Sequence, residues 1–215
     1  MALENTIQEV ATALQIPYLV HFTRTEHLPS IMNHGLYPVS RHSELPVGPT
    51  INDIHRFDGH LDATSLSIAH PNSPMFYKCR RSDDEVSWSV LILKPSLLWM
   101  KQCAFCRHNA ADNRIRLQDL NQLQTSAALS GMYDDGDGIL LETRASQSLK
   151  HYDPTDVQAE VLVLDIIEPA YIHAVVFDTH EAKTQHAGIM GERKSYVNGK
   201  SGLFSQRTYL RDRMK

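Results

Sequence analysis

The sequence predicts a single α+β domain built around a central mixed or antiparallel sheet. Apolar residues make up 42% of the 215 residues, a fraction that is typical of a globular chain. Segments that resemble strands and segments that resemble helices are interspersed without the regular βαβ rhythm of a parallel sheet. Because no repeat, low-complexity tract or Gly/Ser-rich linker divides the chain, we expect one domain over residues 1–215.

Strands are predicted where short apolar and β-branched runs occur, and the run VSWSVLIL is the strongest of them. The predicted strands cover residues 18–23, 63–69, 86–93, 139–141, 158–165 and 172–177.

Helices are predicted where apolar residues recur at a spacing of three or four. Thr25 is expected to cap the second helix, and Gly35 is expected to end it. Residues 75–80 fit either a helix or a strand. Residues 37–62 are rich in Pro and Gly, which predicts a long loop of the kind that is usually functional. The predicted helices cover residues 3–14, 26–34, 95–99 and 117–131.

The location of the protein is constrained by what the sequence lacks. No stretch approaches the roughly 18 consecutive apolar residues of a membrane span. The first residues include Glu4 and Glu9 and no basic region, which argues against a signal peptide. Three cysteines are an odd number and do not form a disulfide framework. We therefore expect a cytoplasmic protein with no membrane partner.

Charge is distributed unevenly along the chain. The formal net charge is −4, yet residues 193–215 contain seven Lys or Arg residues and one Asp. This basic C-terminal segment is either a solvated terminus or a local anchor for phosphates. Tyr196, Phe204 and Tyr209 lie among these charges and favour a packed or base-stacking segment over a free one.

The standard signatures of nucleotide loops and hydrolases are absent from the sequence, including GxxxxGK[ST], GxGxxG, GxSxG and HExxH. Cys103 and Cys106, followed by His108, have a spacing that zinc could use. A structural zinc site needs four ligands, and Cys79 is the one further cysteine. Buried structural thiols are therefore the favoured interpretation, and no metal is expected.

Two polar residues stand inside apolar strands. His21 lies in the segment YLVHFT, and Glu160 lies in QAEVLVLD. Alternation along a strand places Glu160 on the same face as Leu162 and Leu164. Because an ionised carboxylate is costly to bury unless it is paired or used, the two residues together predict a cleft built on neighbouring strands.

Four segments of the chain form a recognisable series. They are His21-Phe22-Thr23; Leu28, Ile31 and His34-Gly35-Leu36; Asn72 with Pro74-Met75-Phe76-Tyr77; and Asp153-Pro154-Thr155-Asp156 with Gln158-Ala159-Glu160-Val161-Leu162-Val163. In order and spacing this series resembles the DarT family of bacterial DNA ADP-ribosyltransferase toxins. The resemblance runs from about residue 17 to about residue 178.

The resemblance implies an ADP-ribosyltransferase fold, in which a split mixed sheet holds NAD in a cleft. It further implies that Glu160 is the catalytic glutamate and that a loop arginine, for which Arg56 is the best candidate, assists it. The loop at about residues 143–157 would contact the acceptor through Tyr152, Asp153 and Thr155. The residues implied to bind NAD as co-substrate are His21, Phe22, Thr23, Met75 and Tyr77.

The activity implied by the resemblance is transfer of ADP-ribose from NAD onto a base of single-stranded DNA, with release of nicotinamide. Such an enzyme would be the toxin of a toxin–antitoxin pair, and its partner would be an antitoxin that reverses the modification. The segments around residues 70–77 and 152–165 favour guanine over thymine as the acceptor. Two alternatives stay open: transfer to RNA or to a terminal phosphate, and a non-catalytic NAD- or nucleic-acid-binding module.

Overall fold

Seven strands form one sheet in the described part of the chain. A computed structural model describes residues 5–46, 59–135, 144–200 and 202–212. The predicted strand at 139–141 lies outside these residues. In chain order the strands are β1 (Leu19–Arg24), β2 (Thr64–Ile68), β3 (Trp88–Leu93), β4 (Cys103–Cys106), β5 (Glu160–Val163), β6 (Ile172–Phe177) and β7 (Lys194–Val197).

The sheet is mixed, as the sequence predicts. Its strand order is β4-β5-β2-β1-β3-β6-β7. The pairs are antiparallel except β6 with β7, which is parallel. β1 pairs with β3 along its whole length, but its ladder with β2 contains only Leu19 opposite Ile68 and Val20 opposite Ser67. The sheet is therefore split between β1 and β2 beyond these two pairs.

Short helices surround the sheet. In the described residues they are α1 (Ile7–Ala13), α2 (Leu28–His34), α3 (Ser73–Ser82), α4 (Leu97–Met100), α5 (Asn113–Arg116), α6 (Leu120–Leu123), α7 (Ser126–Gly131), α8 (His180–Gln185) and α9 (Arg207–Asp212). Single 3₁₀ segments cover Thr25–His27, Val39–Glu44, Pro169–Tyr171 and Ala187–Ile189. The ambiguous segment at 75–80 is thus helical. Asn72 caps it by accepting a hydrogen bond from the Met75 amide.

The largest apolar core lies on one face of the sheet. It buries Val161 and Val163 of β5 against side chains that include Leu28 of α2 and Leu129 of α7. Each fully buried leucine contributes about 1.5–3 kcal/mol relative to an exposed one. The opposite face carries two smaller clusters, one around Leu162 and one around Phe76. This arrangement confirms the predicted alternation of β5, because its odd and even residues enter different cores.

Some predicted details are corrected by the structure. Thr25 does not cap a helix; its hydroxyl forms a 2.8 Å hydrogen bond with the Ser89 hydroxyl, and α2 begins after His27 without a side-chain cap. The predicted helix at 117–131 is two helices, because Thr125 adopts an extended conformation and caps the second. β4, β7, α5, α8 and α9, which have four to six residues each, were not predicted from the sequence.

Gly35 ends α2, as the sequence predicts, and also allows a close backbone approach. Its φ is +94°, a conformation that L side chains rarely adopt, and the space where a Cβ would stand is filled by the carbonyl oxygen of Ile167. The next residue, Leu36, forms an isolated antiparallel bridge with Ile167. Gly35 thereby joins the end of α2 to the segment that follows β5.

Candidate active site

A cavity of about 210 Å³ lies at the split in the sheet. One wall is formed by residues 20–23 of β1 and another by residues 63–67 on β2 and just before it. The end of α2 and the chain from Gly35 to Leu45 form a third side. Asn72 and Met75, at the start of α3, complete the lining together with Asn109, Ala111 and Glu160. The cavity therefore exists because β1 and β2 part after two residue pairs.

Glu160 is the one carboxylate in the cavity lining of the described residues, and it is 7% exposed. It is the first residue of β5, opposite Cys106 at the end of β4. The chain leaving β4 therefore passes beside its side chain. The Ala110 amide donates to Oε2 at 2.9 Å, and Nδ2 of Asn109 donates to Oε1 at 3.3 Å. These bonds offset the desolvation of the carboxylate and fix its orientation toward the cavity.

Residues 21–23 of β1 all line the cavity. Nδ1 of His21 donates a 2.9 Å hydrogen bond to the carbonyl of Ser65, across the part of the split where the backbone ladder is missing. The Thr23 hydroxyl forms a 3.1 Å hydrogen bond with Nδ1 of His27, and burial lowers the pKa of His27. The structure thus brings His21, Phe22 and Thr23 into the same cavity as Glu160. The expectation that the cleft is built on neighbouring strands is wrong, because β2 lies between β1 and β5 in the sheet.

Met75 and Tyr77 differ in their position on α3. Met75 lines the cavity, whereas Tyr77 is 58% exposed and lies outside it. Residues that are two positions apart in an α-helix differ by about 200° around its axis. The side chains of Met75 and Tyr77 therefore face nearly opposite sides of α3. Between them, Phe76 packs against the sheet and stacks on Phe22 at a centroid distance of 4.6 Å. The structure therefore places Met75, but not Tyr77, with the residues expected to bind NAD.

The acceptor residues expected on the loop before β5 also lie outside the cavity lining. Asp153 is fully buried and paired with Arg211, with two contacts of 2.7 Å. The Thr155 hydroxyl accepts a hydrogen bond from Arg144, and the Tyr152 ring lies 5.6 Å from the Arg211 guanidinium. The polar side chains of Asp153 and Thr155 are therefore bonded within the protein, and none of the three residues lines this cavity.

Other residues in the cavity or beside Glu160 were missed by sequence reasoning, and one expected residue cannot be placed. Arg56 lies outside the described residues. Asn109 and Ala110 carry no motif, because their position beside Glu160 depends on the pairing of β4 with β5. Thr64 and Ser65 belong to a predicted strand, but nothing in a single strand predicts where two strands separate.

The cysteines support the thiol interpretation of Cys103-x-x-Cys106. Cys103 packs in the main core and Cys106 in the cluster around Leu162, on opposite faces of β4. Burial raises the pKa of Cys103 to about 12, so its thiol stays protonated. Across residues 5–46, 59–135, 144–200 and 202–212, no three His, Cys, Asp or Glu side chains are grouped closely enough to hold a metal ion. Within the same ranges, no helix has the length and apolar character needed to cross a membrane.

The family model and the solved structures that match this chain carry the same family name. A family model described as "ssDNA thymidine ADP-ribosyltransferase, DarT" matches residues 20–204, which include every described cavity residue. A comparison with curated proteins returned no match.

Among solved structures, the chain is similar to Thermosipho africanus DarTG in complex with ADP-ribose, with a TM-score of 0.59 and 15% identity. That match covers 90% of this chain but 50% of the Thermosipho chain, so this chain spans about half the length of that relative. Thermus sp. 2.9 DarT in complex with ADP-ribosylated ssDNA gives a TM-score of 0.57 at 13% identity, covering 86% of this chain and 95% of that one. Thermus sp. 2.9 DarT in complex with NAD+ gives a TM-score of 0.53 at 14% identity, and the match covers 86% of this chain and 96% of that one. These likenesses establish a shared fold.

Proposed function

Because this chain belongs to the DarT family of single-stranded-DNA ADP-ribosyltransferases, we propose that it transfers ADP-ribose from NAD onto a base of single-stranded DNA and releases nicotinamide. The observation that carries the proposal is the cavity at the split of the sheet. There a buried carboxylate, Glu160, and the polar residues His21 and Thr23 line one space. A carboxylate held in this way suits a reaction in which positive charge develops on a sugar.

The chemistry requires two events that Glu160 can assist. When the bond between nicotinamide and the ribose C1′ breaks, its electron pair moves to the nicotinamide ring nitrogen and the ribose gains oxocarbenium character. A carboxylate that accepts a hydrogen bond from the 2′-hydroxyl stabilises that charge, as in glycoside hydrolysis. A nitrogen of the acceptor base then forms the new bond to C1′ and loses its proton, which Glu160 can accept. In this scheme Arg56 is proposed to assist Glu160 or to bind the pyrophosphate.

The size of the cavity and the position of Glu160 together favour one placement of NAD. Pockets that enclose a whole drug-sized ligand measure about 300–1,000 Å³. The cavity of about 210 Å³ is smaller than that range, so it would enclose one end of NAD. We assign the nicotinamide–ribose end to it, because Glu160 must lie beside the ribose C1′ to act, and the adenosine end then lies nearer solvent. His21, Phe22, Thr23 and Met75 are proposed to contact the enclosed end. Tyr77, on the opposite side of α3, is left out of this assignment.

The acceptor base is where the sequence expectation and the family description disagree. The segments around residues 70–77 and 152–165 favoured guanine, whereas the description of the matching family names thymidine. We propose thymine on the strength of that description. Thymine and guanine each carry a weakly acidic ring N–H that could supply the proton accepted by Glu160, so the chemistry of the step does not separate them. An acceptor series that includes guanine tests this choice directly.

The biological role follows by the same family argument. We propose that the chain is the toxin of a toxin–antitoxin pair and that its antitoxin removes the ADP-ribose. The Thermosipho relative is named DarTG, and this chain matches half of it. Such an antitoxin is expected to restore the unmodified oligonucleotide.

The test is a transfer assay on defined acceptors. The purified protein is incubated with NAD and with single-stranded DNA, duplex DNA and RNA oligonucleotides, each series containing one of the four bases. A mass gain of one ADP-ribose on thymine-containing single-stranded DNA is expected. Mass gain on guanine-containing DNA alone would show that the acceptor is guanine, the base that the sequence favoured. Gain on RNA alone, or no gain with NAD still bound, would overturn DNA transfer.

Glu160→Gln is the matched catalytic variant, because glutamine keeps the shape of the side chain and an oxygen that can accept from Ala110. We expect transfer to fall by at least about 100-fold with cooperative unfolding retained. Glu168→Gln, an exposed carboxylate of similar size that lies outside the cavity, is the control. Full transfer by Glu160→Gln would refute the catalytic assignment.

A further inference from the structure

Two arginines of the C-terminal helix are buried almost completely. Arg207 and Arg211, one turn apart on α9, are 3% and 4% exposed. Arginine is rarely buried to this extent unless it is paired. Both belong to the basic C-terminal segment at 193–215, so part of its charge is turned into the protein and not toward solvent.

Arg211 forms a two-pronged ion pair with Asp153. Its Nε donates to Oδ2 and its Nη2 donates to Oδ1 of Asp153, each at 2.7 Å, and Asp153 is fully buried. Burial opposes the charge of Arg211, but the hydrogen bonds to Asp153 outweigh it and raise the pKa of Arg211. The parallel geometry of the guanidinium fixes the direction as well as the distance of its partner.

Arg207 holds the next residues of the same loop through their backbone. It donates from Nη1 to the Pro154 carbonyl at 2.7 Å and from Nη2 to the Thr155 carbonyl at 3.0 Å. Burial lowers the pKa of Arg207 to about 10, which leaves it charged at neutral pH. Arg144 adds hydrogen bonds of its own, donating to the Asp153 carbonyl at 2.7 Å and to the Thr155 hydroxyl at 3.0 Å.

The loop at 153–156 is connected to Glu160 through one further polar contact. Asp156 follows Thr155 directly, and its Oδ2 accepts a 2.9 Å hydrogen bond from Nδ1 of His108. His108 is 3% exposed, and the two residues after it, Asn109 and Ala110, donate to the Glu160 carboxylate. The order of contacts is therefore α9, the loop at 153–156, the segment 108–110 and Glu160.

We propose that Arg207 and Arg211 are positioning residues that set the orientation of Glu160 for transfer, a proposal that rests on the proposed function. An apolar contact would anchor a terminal helix without the cost of desolvating guanidinium groups. A network of directional hydrogen bonds, in contrast, restricts its members to few arrangements. The hydrogen bonds from α9 hold the loop at 153–156 in place. Through His108, this loop in turn holds the donors Asn109 and Ala110 beside Glu160.

The test compares the parent protein with Arg211→Ala, Arg211→Lys and the control Arg193→Ala. Arg193 lies in the same basic segment and also donates to carbonyls, but those of Met190 and Pro169. We expect Arg211→Ala to lower kcat of DNA transfer by 10- to 100-fold, on the order of a misplacement of about 1 Å, with KM for NAD within about threefold. Arg211→Lys, which keeps the charge, should retain more kcat than the alanine variant. Arg193→Ala should stay within about twofold of the parent.

Chemical rescue separates positioning from simple loss of stability. Guanidinium at about 10 mM, far below denaturing concentrations, should restore part of kcat to Arg211→Ala, and sodium chloride at the same concentration should not. The same addition should leave Arg193→Ala unchanged. Unaltered kcat in Arg211→Ala would overturn the proposal. So would a loss of kcat that only follows the unfolded fraction and is not rescued.

Failure of the proposed function gives a different result from failure of this inference. If the parent transfers ADP-ribose to no acceptor, the proposed function is wrong. Hydrogen exchange of the backbone amides then tests whether Arg211 positions the segment beside Glu160. Faster exchange at residues 108–111 in Arg211→Ala then supports the connection to Glu160, and unchanged exchange overturns it. If Arg211→Ala does not fold, Arg211→Lys and Arg207→Lys are judged by the same measurements.

Discussion

The Ala110 amide donates a 2.9 Å hydrogen bond to the Glu160 carboxylate from the chain that has just left the neighbouring strand. The register of β4 and β5, with Cys106 opposite Glu160, makes this contact possible. A backbone donor cannot be removed by a side-chain substitution, so the orientation of Glu160 is partly built into the sheet. The adjacent side-chain donor, Asn109, is the part that mutation can reach.

Replacing Asn109 with alanine removes the 3.3 Å hydrogen bond to Oε1 of Glu160. The carboxylate keeps its bond from Ala110 but loses one of the donors that hold its orientation. We expect kcat of transfer to fall about tenfold, with a smaller effect on KM for NAD, since one hydrogen bond to a charged group contributes about 1.5–3 kcal/mol. Steady-state kinetics with varied NAD measure both. Asn121→Ala, at an exposed position on α6, should match the parent; parental kcat in Asn109→Ala would show that the bond does not contribute.

His21→Ala is expected to weaken NAD binding more than it slows transfer. The substitution removes one side chain of the cavity lining. It also removes the 2.9 Å hydrogen bond to the Ser65 carbonyl, and this bond spans the split in the sheet. We predict a rise of about tenfold in KM for NAD, equal to about 1.4 kcal/mol. His173→Ala is the control, because His173 is an exposed strand histidine outside the cavity. An unchanged KM in His21→Ala would exclude His21 from the NAD site.

Met75 and Tyr77 provide a paired test of which side of α3 faces the cofactor. Met75→Ala should raise KM for NAD about fivefold, because it removes apolar contact area from the cavity lining. Tyr77→Ala should leave KM within about twofold, because its ring is 58% exposed and outside the cavity. The reverse result, with loss in Tyr77→Ala alone, would mean that NAD binds on the other side of the helix.

Gly35→Ala tests the close approach at the end of α2. A Cβ there would meet the Ile167 carbonyl oxygen, and the φ of +94° is strained for any L side chain. We expect the free energy of unfolding to fall by at least about 2 kcal/mol. Gly188→Ala is the matched control, since nothing lies within 4 Å of its Cβ position. Urea denaturation measures both, and equal midpoints would show that the chain adjusts without cost.

The sequence predicted the parts of the site that depend on local pattern. Alternation in QAEVLVLD correctly separated Glu160 and Leu162 from Val161, and an isolated polar residue in YLVHFT correctly indicated a cleft strand. Asn109 could not be found in this way, because it meets Glu160 through a strand pair about fifty residues apart. Tyr77 was grouped with Met75 by motif, although helix periodicity separates them.

The basic C-terminal segment shows a second limit of sequence reasoning. Charge alone left a solvated terminus and a phosphate anchor as alternatives. The structure gives Arg207 and Arg211 a third role, buried contacts with residues 153–155. Phe204 is 8% exposed and packs on Phe76, which agrees with the expectation of a packed segment. Long-range pairing of a buried carboxylate with a terminal helix leaves no periodic signal in either segment.

His70 makes the stability of the fold sensitive to acid. It is 2% exposed, its Nδ1 donates to the Pro71 carbonyl at 2.9 Å, and its Nε2 has no partner among the described residues. Burial lowers its pKa from the usual 6.5 to about 4; Arg207 and Arg211 nearby also disfavour the charged form, while the Pro71 bond and Asp153 oppose the shift. Protonation would therefore place an unpaired cation in the interior.

The direction of the pH effect follows from that lowered pKa. Between pH 6.5 and about 4 the unfolded chain binds a proton at His70 that the folded chain does not, so stability is lost as the pH falls through this window. The loss amounts to about 3 kcal/mol. His70→Asn keeps a donor for the Pro71 carbonyl but cannot titrate. Between pH 7 and pH 4 its free energy of unfolding in urea should therefore fall by about 3 kcal/mol less than that of the parent. His173→Asn, at an exposed histidine, should follow the parent, and parallel curves for parent and His70→Asn would show that another group carries the acid sensitivity.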